Sequence, residues 1–478
     1  MTATTALLAR PNAVLQALAQ QSPVFLAVVV PPCFVAFATG EHALGLSFVA
    51  QIAALVVLMI YHRNSDFPDD LRQIEALVTF ALIFLAASLL VTPPFVMLGM
   101  TPLHALFEAV SGITSTGLSV AEDTENWPVA GHLLRGWIQW CGGFAIAFAG
   151  LAIFAGSPGA SLAIGGSSFA ERDNNVSLRA QARLVLRVYA ALSLLAVIAC
   201  LLVLPNWWEA VSVALSAVST GGFTPRGDSL SSYSPLAQGV VLGICVLAAV
   251  SLMAYVQIPR DGLRGALAKS HLRATLGLMV GATLLFAAID YGLNQSDAGE
   301  IYRGALNFLS AFSTAGFSTN EVSSHVGLLP LILVAMFIGA DIGSTGGGIK
   351  VGRLVIMMQI VRLSFVRLSV PPSAVTYLRD GGERVAADRV IAVGTLIALY
   401  LVAQMIGWVV FLASGAPALP ALFEVTSALS TVGLSQGLTG PDMAAHLKGT
   451  LIVLMLLGRL EFIALIMLFL PGTWWKRS

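Results

Sequence analysis

A six-residue pattern occurs four times along the chain. The copies are Ile113-Thr114-Ser115-Thr116-Gly117-Leu118, Val218-Ser219-Thr220-Gly221-Gly222-Phe223, Phe312-Ser313-Thr314-Ala315-Gly316-Phe317 and Leu429-Ser430-Thr431-Val432-Gly433-Leu434. Each is an apolar residue, two hydroxyl residues, a variable residue, a glycine and another apolar residue. The final glycines lie 105, 94 and 117 residues apart, and each copy falls between two long hydrophobic segments. One such loop alone would read as an ordinary turn or a close-packing site between helices. Four at equivalent places point to small, backbone-exposing loops meeting around one axis. In that arrangement carbonyl oxygens replace the water of a dehydrated cation. Glycine suits the loop because it reaches φ > 0 cheaply and lets an ion approach the backbone.

The flanking segments read as membrane spans. Of 478 residues, 57% are hydrophobic and 10% charged, and the mean hydropathy is +0.85, whereas a soluble domain carries about 25% charged residues. The 25 basic and 25 acidic residues balance, so no basic excess argues for nucleic acid. Cys33, Cys141, Cys200 and Cys245 sit far apart in apolar runs and read as small hydrophobes rather than a disulfide or metal set. The first apolar run, from Pro23, is followed directly by another and reads as a retained span, not a cleaved signal peptide.

At roughly 20 residues per crossing, ten spans are expected. Two come first, at 23–40 and 43–62. Four units follow: 73–93 with 132–155, 184–204 with 236–257, 272–291 with 326–340 and its continuation 349–368, and 389–413 with 449–470. Between the spans of each unit, a short apolar stretch leads into the loop: His104–Gly112, Trp208–Ala217, Tyr302–Ala311 and Leu422–Ala428. About ten residues cannot cross a bilayer, so each stretch reads as a re-entrant half-helix followed by extended backbone. The expected fold is an all-α polytopic membrane protein. It has four parallel helix–pore loop–helix pseudo-repeats around one pore, preceded by two extra transmembrane helices. The expected divisions are an amino-terminal two-helix region at 1–65 and pore repeats at 66–160, 161–260, 261–370 and 371–478.

Charge placement sets the orientation. Twenty of the 25 basic residues, among them Arg63, Arg172, Arg179, Arg260, Arg362, Lys476 and Arg477, fall on the side of both termini. The positive-inside rule therefore makes both termini cytoplasmic, with the four loops entering from outside.

Several single residues stand out. Arg459 falls near the middle of the last span, where a charge costs roughly 2.5–3.5 kcal/mol on insertion scales and so should face a cavity or a partner. It reads as a positive barrier in the pore below the filter, with a buried ion pair as the alternative. Glu461, two residues on, lies on another helix face and is a poor direct partner. Gly343, Gly346, Gly347 and Gly348 interrupt an apolar run, and at about 1 kcal/mol per glycine they cannot form a stable helix. They read as an intramembrane loop beneath the filter, a gate. The alternative is a passive kink, and Gly348-Ile349-Lys350 does not fit a phosphate-binding loop. Asp341 beside it reads as a local cap. Glu108 and Glu424 precede their loop glycines by nine residues. They could attract cations or, preferably, accept hydrogen bonds that hold the loop, a role Asn307 could share and Val213 could not. His104, His132, His325 and His446 show no metal-ligand spacing. No nucleophile–base constellation is present, so the chain does not read as an enzyme.

With these motifs the chain resembles the membrane subunit of bacterial Trk/Ktr-type potassium uptake systems, related to plant high-affinity potassium transporters. The resemblance rests on the four loops, on Arg135-Gly136-Trp137-Ile138-Gln139-Trp140-Cys141-Gly142-Gly143, on Gly343-Ser344-Thr345-Gly346-Gly347-Gly348-Ile349-Lys350, and on Gly458-Arg459-Leu460-Glu461. It implies potassium as substrate and no cofactor. It also implies a filter of Ser115, Thr116, Gly117; Thr220, Gly221, Gly222; Thr314, Ala315, Gly316; and Thr431, Val432, Gly433. A serine at the first-loop glycine goes with sodium permeation in the plant relatives; Gly117 here favours potassium. The resemblance further implies a homodimer in the lipid of a bacterial inner membrane, working with a peripheral cytoplasmic nucleotide-binding subunit. The alternatives are a sodium-permeable or sodium- or proton-coupled transporter of the same fold, and a secondary solute transporter, which would show inverted repeats and carboxylates at mid-depth.

Overall fold

The apolar segments fold as helices throughout the computed structural model, which describes residues 8–62, 71–156, 178–269, 271–320, 327–371, 378–380 and 383–475. Arg63, Arg172, His325, Lys476 and Arg477 lie outside the described residues. Helices α1 (Pro11–Ala19), α2 (Ser22–Ala38) and α3 (His42–His62) come first. The first unit is α4 (Gln73–Met97), α5 (Pro102–Ile113) and α6 (Val129–Gly156). The second is α7 (Leu178–Val203), α8 (Trp207–Val218), α9 (Pro235–Ala248) and α10 (Leu252–Lys269). The third is α11 (Leu272–Asn294), α12 (Ala298–Ser313), α13 (Leu329–Ile338) and α14 (Val351–Ser369). The fourth is α15 (Ala387–Ala413), α16 (Ala418–Leu429), α17 (Ala445–Arg459) and α18 (Ile463–Phe469), with α19 (Pro471–Trp474) closing the described chain. The described residues also include 3₁₀ turns at Thr124–Asn126 and 327–328 and two antiparallel two-residue strands, β1 (Arg379–Asp380) and β2 (Glu383–Arg384).

The short stretches before the loops are half-helices. Helices α5, α8 and α16 have 12 residues and α12 has 16. At 1.5 Å per residue they reach about 18–24 Å, short of the ~30 Å hydrocarbon core. Their starts are encoded locally. Thr101 accepts from the His104 N–H with Pro102 in the first turn, and Asp297 with Glu300 forms a capping box on α12. The longer helices enclose them, and Phe107 through Ile113 and Phe423 through Leu429 are buried without interruption. Large apolar side chains such as Leu202, Leu284 and Ile406 stand on the outer faces, as suits a chain whose solvent is hydrocarbon.

The spans depart from the sequence expectation in one respect. Among the described residues six stretches are long and apolar enough to cross a membrane, or eight if each of two bent pairs counts as one span, where ten spans of helical length were expected. Helices α9 and α10 meet at 80°, and α17 and α18 at 119°. The other two expected spans correspond to α6 and to the α13–α14 pair, which residues 339–350 separate. Arg459 is therefore not in the middle of a straight helix; it is the last residue of α17, at the bend.

Candidate functional site

The four loops close into a ring. A Cβ placed on Gly117 would overlap the Gly221 carbonyl oxygen, one on Gly316 the Val432 oxygen, and one on Gly433 the Thr116 oxygen; one on Gly222 would stand 2.7 Å from the Ala315 oxygen. Each glycine thus abuts the carbonyl preceding the next unit's glycine, in the cyclic order one, two, three, four, one. Gly117, Gly222, Gly316 and Gly433 have φ of 90°, 79°, 75° and 98°, so both the backbone conformation and the close approach require glycine.

A second fourfold feature was not anticipated. Ser115, Thr220, Thr314 and Thr431, two residues before the glycines, have φ of 51°, 52°, 56° and 50°. The left-handed conformation costs a non-glycine residue roughly 1–2 kcal/mol and persists only where the surroundings enforce it. Part of the enforcement is local. The Thr116, Gly221, Ala315 and Val432 N–H groups donate to the carbonyls of Ser111, Ser216, Ser310 and Ser427 at 2.8, 2.8, 2.9 and 2.8 Å. The Ser111 and Ser427 hydroxyls also accept from the Gly117 and Gly433 N–H groups at 3.1 and 3.0 Å. These serines stand six residues before each glycine in all four copies. The repeat therefore extends three residues further toward the amino terminus than the hydroxyl pair, and that spacing is its signal in the sequence.

The carbonyls that face the neighbouring glycines are unusual. Thr116, Gly221, Ala315 and Val432 are buried, yet among the described residues no backbone N–H donates to their carbonyls. Of the four, only the Gly221 carbonyl receives a side-chain hydrogen bond among the described residues, from Gln139. Buried backbone carbonyls are normally paired, so a ring of these is suited to a ligand that accepts electron density from oxygen.

Above the ring a cavity of about 570 Å³ opens on all four glycines. The half-helix acceptors brace its wall. Glu108 takes Arg135 at 2.8 Å and the Ser119 hydroxyl at 3.0 Å, while Arg135 donates to the Thr224 carbonyl at 2.9 Å and lies 4.0 Å from the Phe223 ring centre. Glu424 accepts from the Ser435 and Thr439 hydroxyls at 2.6 Å and from the Gln436 N–H at 2.8 Å. Asn307 accepts from the Thr319 N–H at 2.7 Å. Each ties down the segment just past its loop, the bracing role preferred from sequence. In the second unit Val213 cannot do this, and Glu209, one turn earlier, binds Tyr233 and Arg226 instead. His104 pairs with Lys448, His132 stacks on Trp208 and His446 meets Ser414; among the described residues no His/Cys/Asp/Glu group could hold a metal.

Below the ring lies the glycine-rich segment. The Gly347 N–H donates to the Thr314 hydroxyl at 2.8 Å and the Gly348 N–H to the Ser430 carbonyl at 3.1 Å. The Thr345 hydroxyl donates to the Val218 carbonyl at 3.1 Å. A Cβ at Gly347 would overlap the Ser430 carbonyl, so only glycine lets the segment press this closely against the loops. Asp341 caps locally, its carboxylate accepting from the Ile342 N–H at 2.8 Å. Arg459 joins the same region: its guanidinium donates to the Thr345 carbonyl at 2.9 Å, the Gly142 carbonyl at 3.0 Å and the Ser115 hydroxyl at 3.3 Å. It makes no pair with Glu461, as its place in sequence predicted. Glu461 instead binds Lys350 at 2.9 Å and Arg353.

The family profile described as TrkH, cation transport protein, matches residues 47–253 and 283–475. A "Trk system potassium uptake protein TrkH" of Halomonas elongata is 27% identical, over 95% of this chain and 97% of its own. The "Trk system potassium uptake protein TrkG" of Escherichia coli is 25% identical, over 94% and 95%. The crystal structure of the potassium transporter TrkH from Vibrio parahaemolyticus superposes with a TM-score of 0.85 at 22% identity, over 98% of this chain and all of that one; at that identity the likeness is one of fold. The matched profile covers both halves of the ring, and the chain belongs to the TrkH family of cation transport proteins.

Proposed function

We propose that this chain takes up potassium across the cell membrane through one pore, with residues 115–117, 220–222, 314–316 and 431–433 as its filter. The observation that carries this reading is the closed ring in which each loop glycine abuts the next unit's buried carbonyl. Carbonyl oxygens at close quarters substitute for the hydration shell of a cation that enters dehydrated. Membership of a cation-transport family and relatives described as potassium uptake proteins support the choice of ion. Potassium is substrate, not cofactor, and nothing in this reading requires an enzyme activity.

In the same reading the segment Gly343–Gly348 and Arg459 form the gate. The segment presses on three of the four loops from below, and Arg459 anchors it to the first unit. The pore units follow the sequence divisions 66–160, 161–260, 261–370 and 371–478. The skew of basic residues supports cytoplasmic termini in a bacterial inner membrane. The description of relatives as parts of a Trk system supports a cytoplasmic partner, which we take to be a nucleotide-binding subunit acting on a homodimer of this chain.

The test is tracer rubidium uptake into liposomes holding the purified protein, under a potassium gradient, with competition by external potassium or sodium. Uptake blocked by potassium and insensitive to equal sodium is expected. Equal block by both ions, or no uptake with the partner present, would reject the potassium reading.

A further inference from the structure

Gln139 makes the second quadrant of the ring unlike the other three. It belongs to α6 of the first unit and is fully buried, yet its carboxamide lies within the second unit's loop. Its Nε2 donates to the Gly221 carbonyl, and its Oε1 accepts from the Ser216 hydroxyl at 2.7 Å and the Phe223 N–H at 3.2 Å. Its own backbone carbonyl accepts from the Ser115 hydroxyl at 2.9 Å. One residue thus fastens two adjacent loops.

Two further observations bear on this. In the first and fourth quadrants the Ser111 and Ser427 hydroxyls hold the loop glycine N–H directly. In the second, the equivalent Ser216 hydroxyl turns to Gln139, so the carboxamide takes over the bracing. The variable position of the repeat reads Thr116, Gly221, Ala315 and Val432, and a Cβ at Gly221 would come within 2.8 Å of the Gln139 Nε2. Gly221 is therefore glycine because Gln139 occupies the space a side chain would need. The two residues, distant in sequence, form a matched pair.

Resting on the potassium reading above, we propose that Gln139 is a positioning residue for ion selectivity, holding the Gly221 peptide in the ring. Its amide hydrogen bond fixes the direction of one of the four carbonyls and draws on that oxygen's electron density. Among the described residues the ring then has three oxygens without a hydrogen-bond donor and one shared with Gln139. The shared oxygen is restrained against the inward shift that a smaller cation needs. Selectivity by carbonyl cage depends on how far the oxygens can move and on their field strength, and Gln139 sets both in this quadrant. No side chain donates to the equivalent carbonyls of the other quadrants among the described residues, so this control is exerted from one side.

The experiment compares wild type with Gln139→Met, Gly221→Ala and the double variant Gln139→Ala/Gly221→Ala in planar bilayers, reading the potassium-to-sodium permeability ratio from reversal potentials. Methionine keeps the volume and removes the amide. Wild type discriminates, and Gln139→Met is expected to conduct with the ratio reduced at least tenfold. Gly221→Ala is expected to lose most current, because its methyl meets the carboxamide. The double variant, which frees that space, should recover current without recovering selectivity. A structural role alone would change expression or melting temperature and leave the ratio untouched. A wild-type ratio in Gln139→Met overturns the proposal. Should that variant not fold, a double variant with no more current than Gly221→Ala overturns it instead. A wild type that does not discriminate overturns the potassium reading itself, which separates the two failures.

Discussion

Replacing Arg459 tests the gate most directly. Of its three hydrogen bonds, the one to the Thr345 carbonyl reaches the glycine-rich segment, and those to Gly142 and Ser115 reach the first unit. A hydrogen bond from a charged donor contributes about 1.5–3 kcal/mol. If the segment leaves the pore when the gate opens, Arg459→Ala removes that amount from the closed state alone. At 1.4 kcal/mol per tenfold, the open fraction rises roughly 10- to 150-fold until it saturates. Arg459→Lys separates two mechanisms, since it keeps the positive charge but lacks the planar fork that reaches three acceptors. A hydrogen-bonded latch predicts that lysine behaves much like alanine; a purely electrostatic barrier predicts that it behaves like arginine. The assay is tracer rubidium flux into liposomes without any cytoplasmic partner, normalised to reconstituted protein. We expect both variants to exceed wild type with potassium preference retained. Flux at or below wild type in correctly folded Arg459→Ala would refute the latch.

Three other outcomes follow from the described contacts. Gly316→Ala places a methyl group onto the Val432 carbonyl at a φ of 75° and should reduce potassium-selective uptake at least tenfold; a wild-type ratio of potassium to sodium uptake would contradict the ring. Glu461→Gln leaves Lys350 and Arg353 without their shared carboxylate, a loss of about 3–5 kcal/mol for a buried arrangement. It should lower the melting temperature in detergent and raise partner-free flux, and a melting curve superimposable on wild type would count against it. Glu108→Gln strands the buried Arg135 beside the ring. The same destabilisation is expected in a thermal scan, and unchanged melting would show that Ser119 and Thr224 suffice to hold the guanidinium.

The legible parts of this molecule were those encoded locally. Although the half-helices start at Pro102 and Ala298, earlier than the expected His104 and Tyr302, their existence, the four loops, and the placement of Glu108, Glu424 and Asn307 could all be read because each depends on neighbours in sequence. The bends could not. Leu460-Glu461-Phe462 contains neither glycine nor proline, yet Glu461 and Phe462 have φ of 52° and 66°, in a bend whose carboxylate is bound by Lys350 and Arg353 from the third unit. Likewise the Ala249–Ser251 break is stabilised by hydrogen bonds between the Asp341 N–H and the Ala249 carbonyl and between the Leu252 N–H and the Gly343 carbonyl, both 3.0 Å. Hydropathy registers the apolar run and says nothing of contacts that bend it. Gln139 has no role that local sequence discloses, since the partners of its side chain lie 77 to 84 residues away.

The ring is drawn from a single polypeptide, and this changes how mutation acts on it. In a ring of four identical subunits, a substitution worth about 1 kcal/mol enters four times, about 4 kcal/mol or close to a thousandfold in an equilibrium. Here it enters once, roughly fivefold. Each quadrant can therefore accept changes that a symmetric assembly would reject. The occurrence of Gln139 in one quadrant, the glycine-rich segment in another and Arg459 in a third is what such freedom allows: division of labour among four similar parts of one chain.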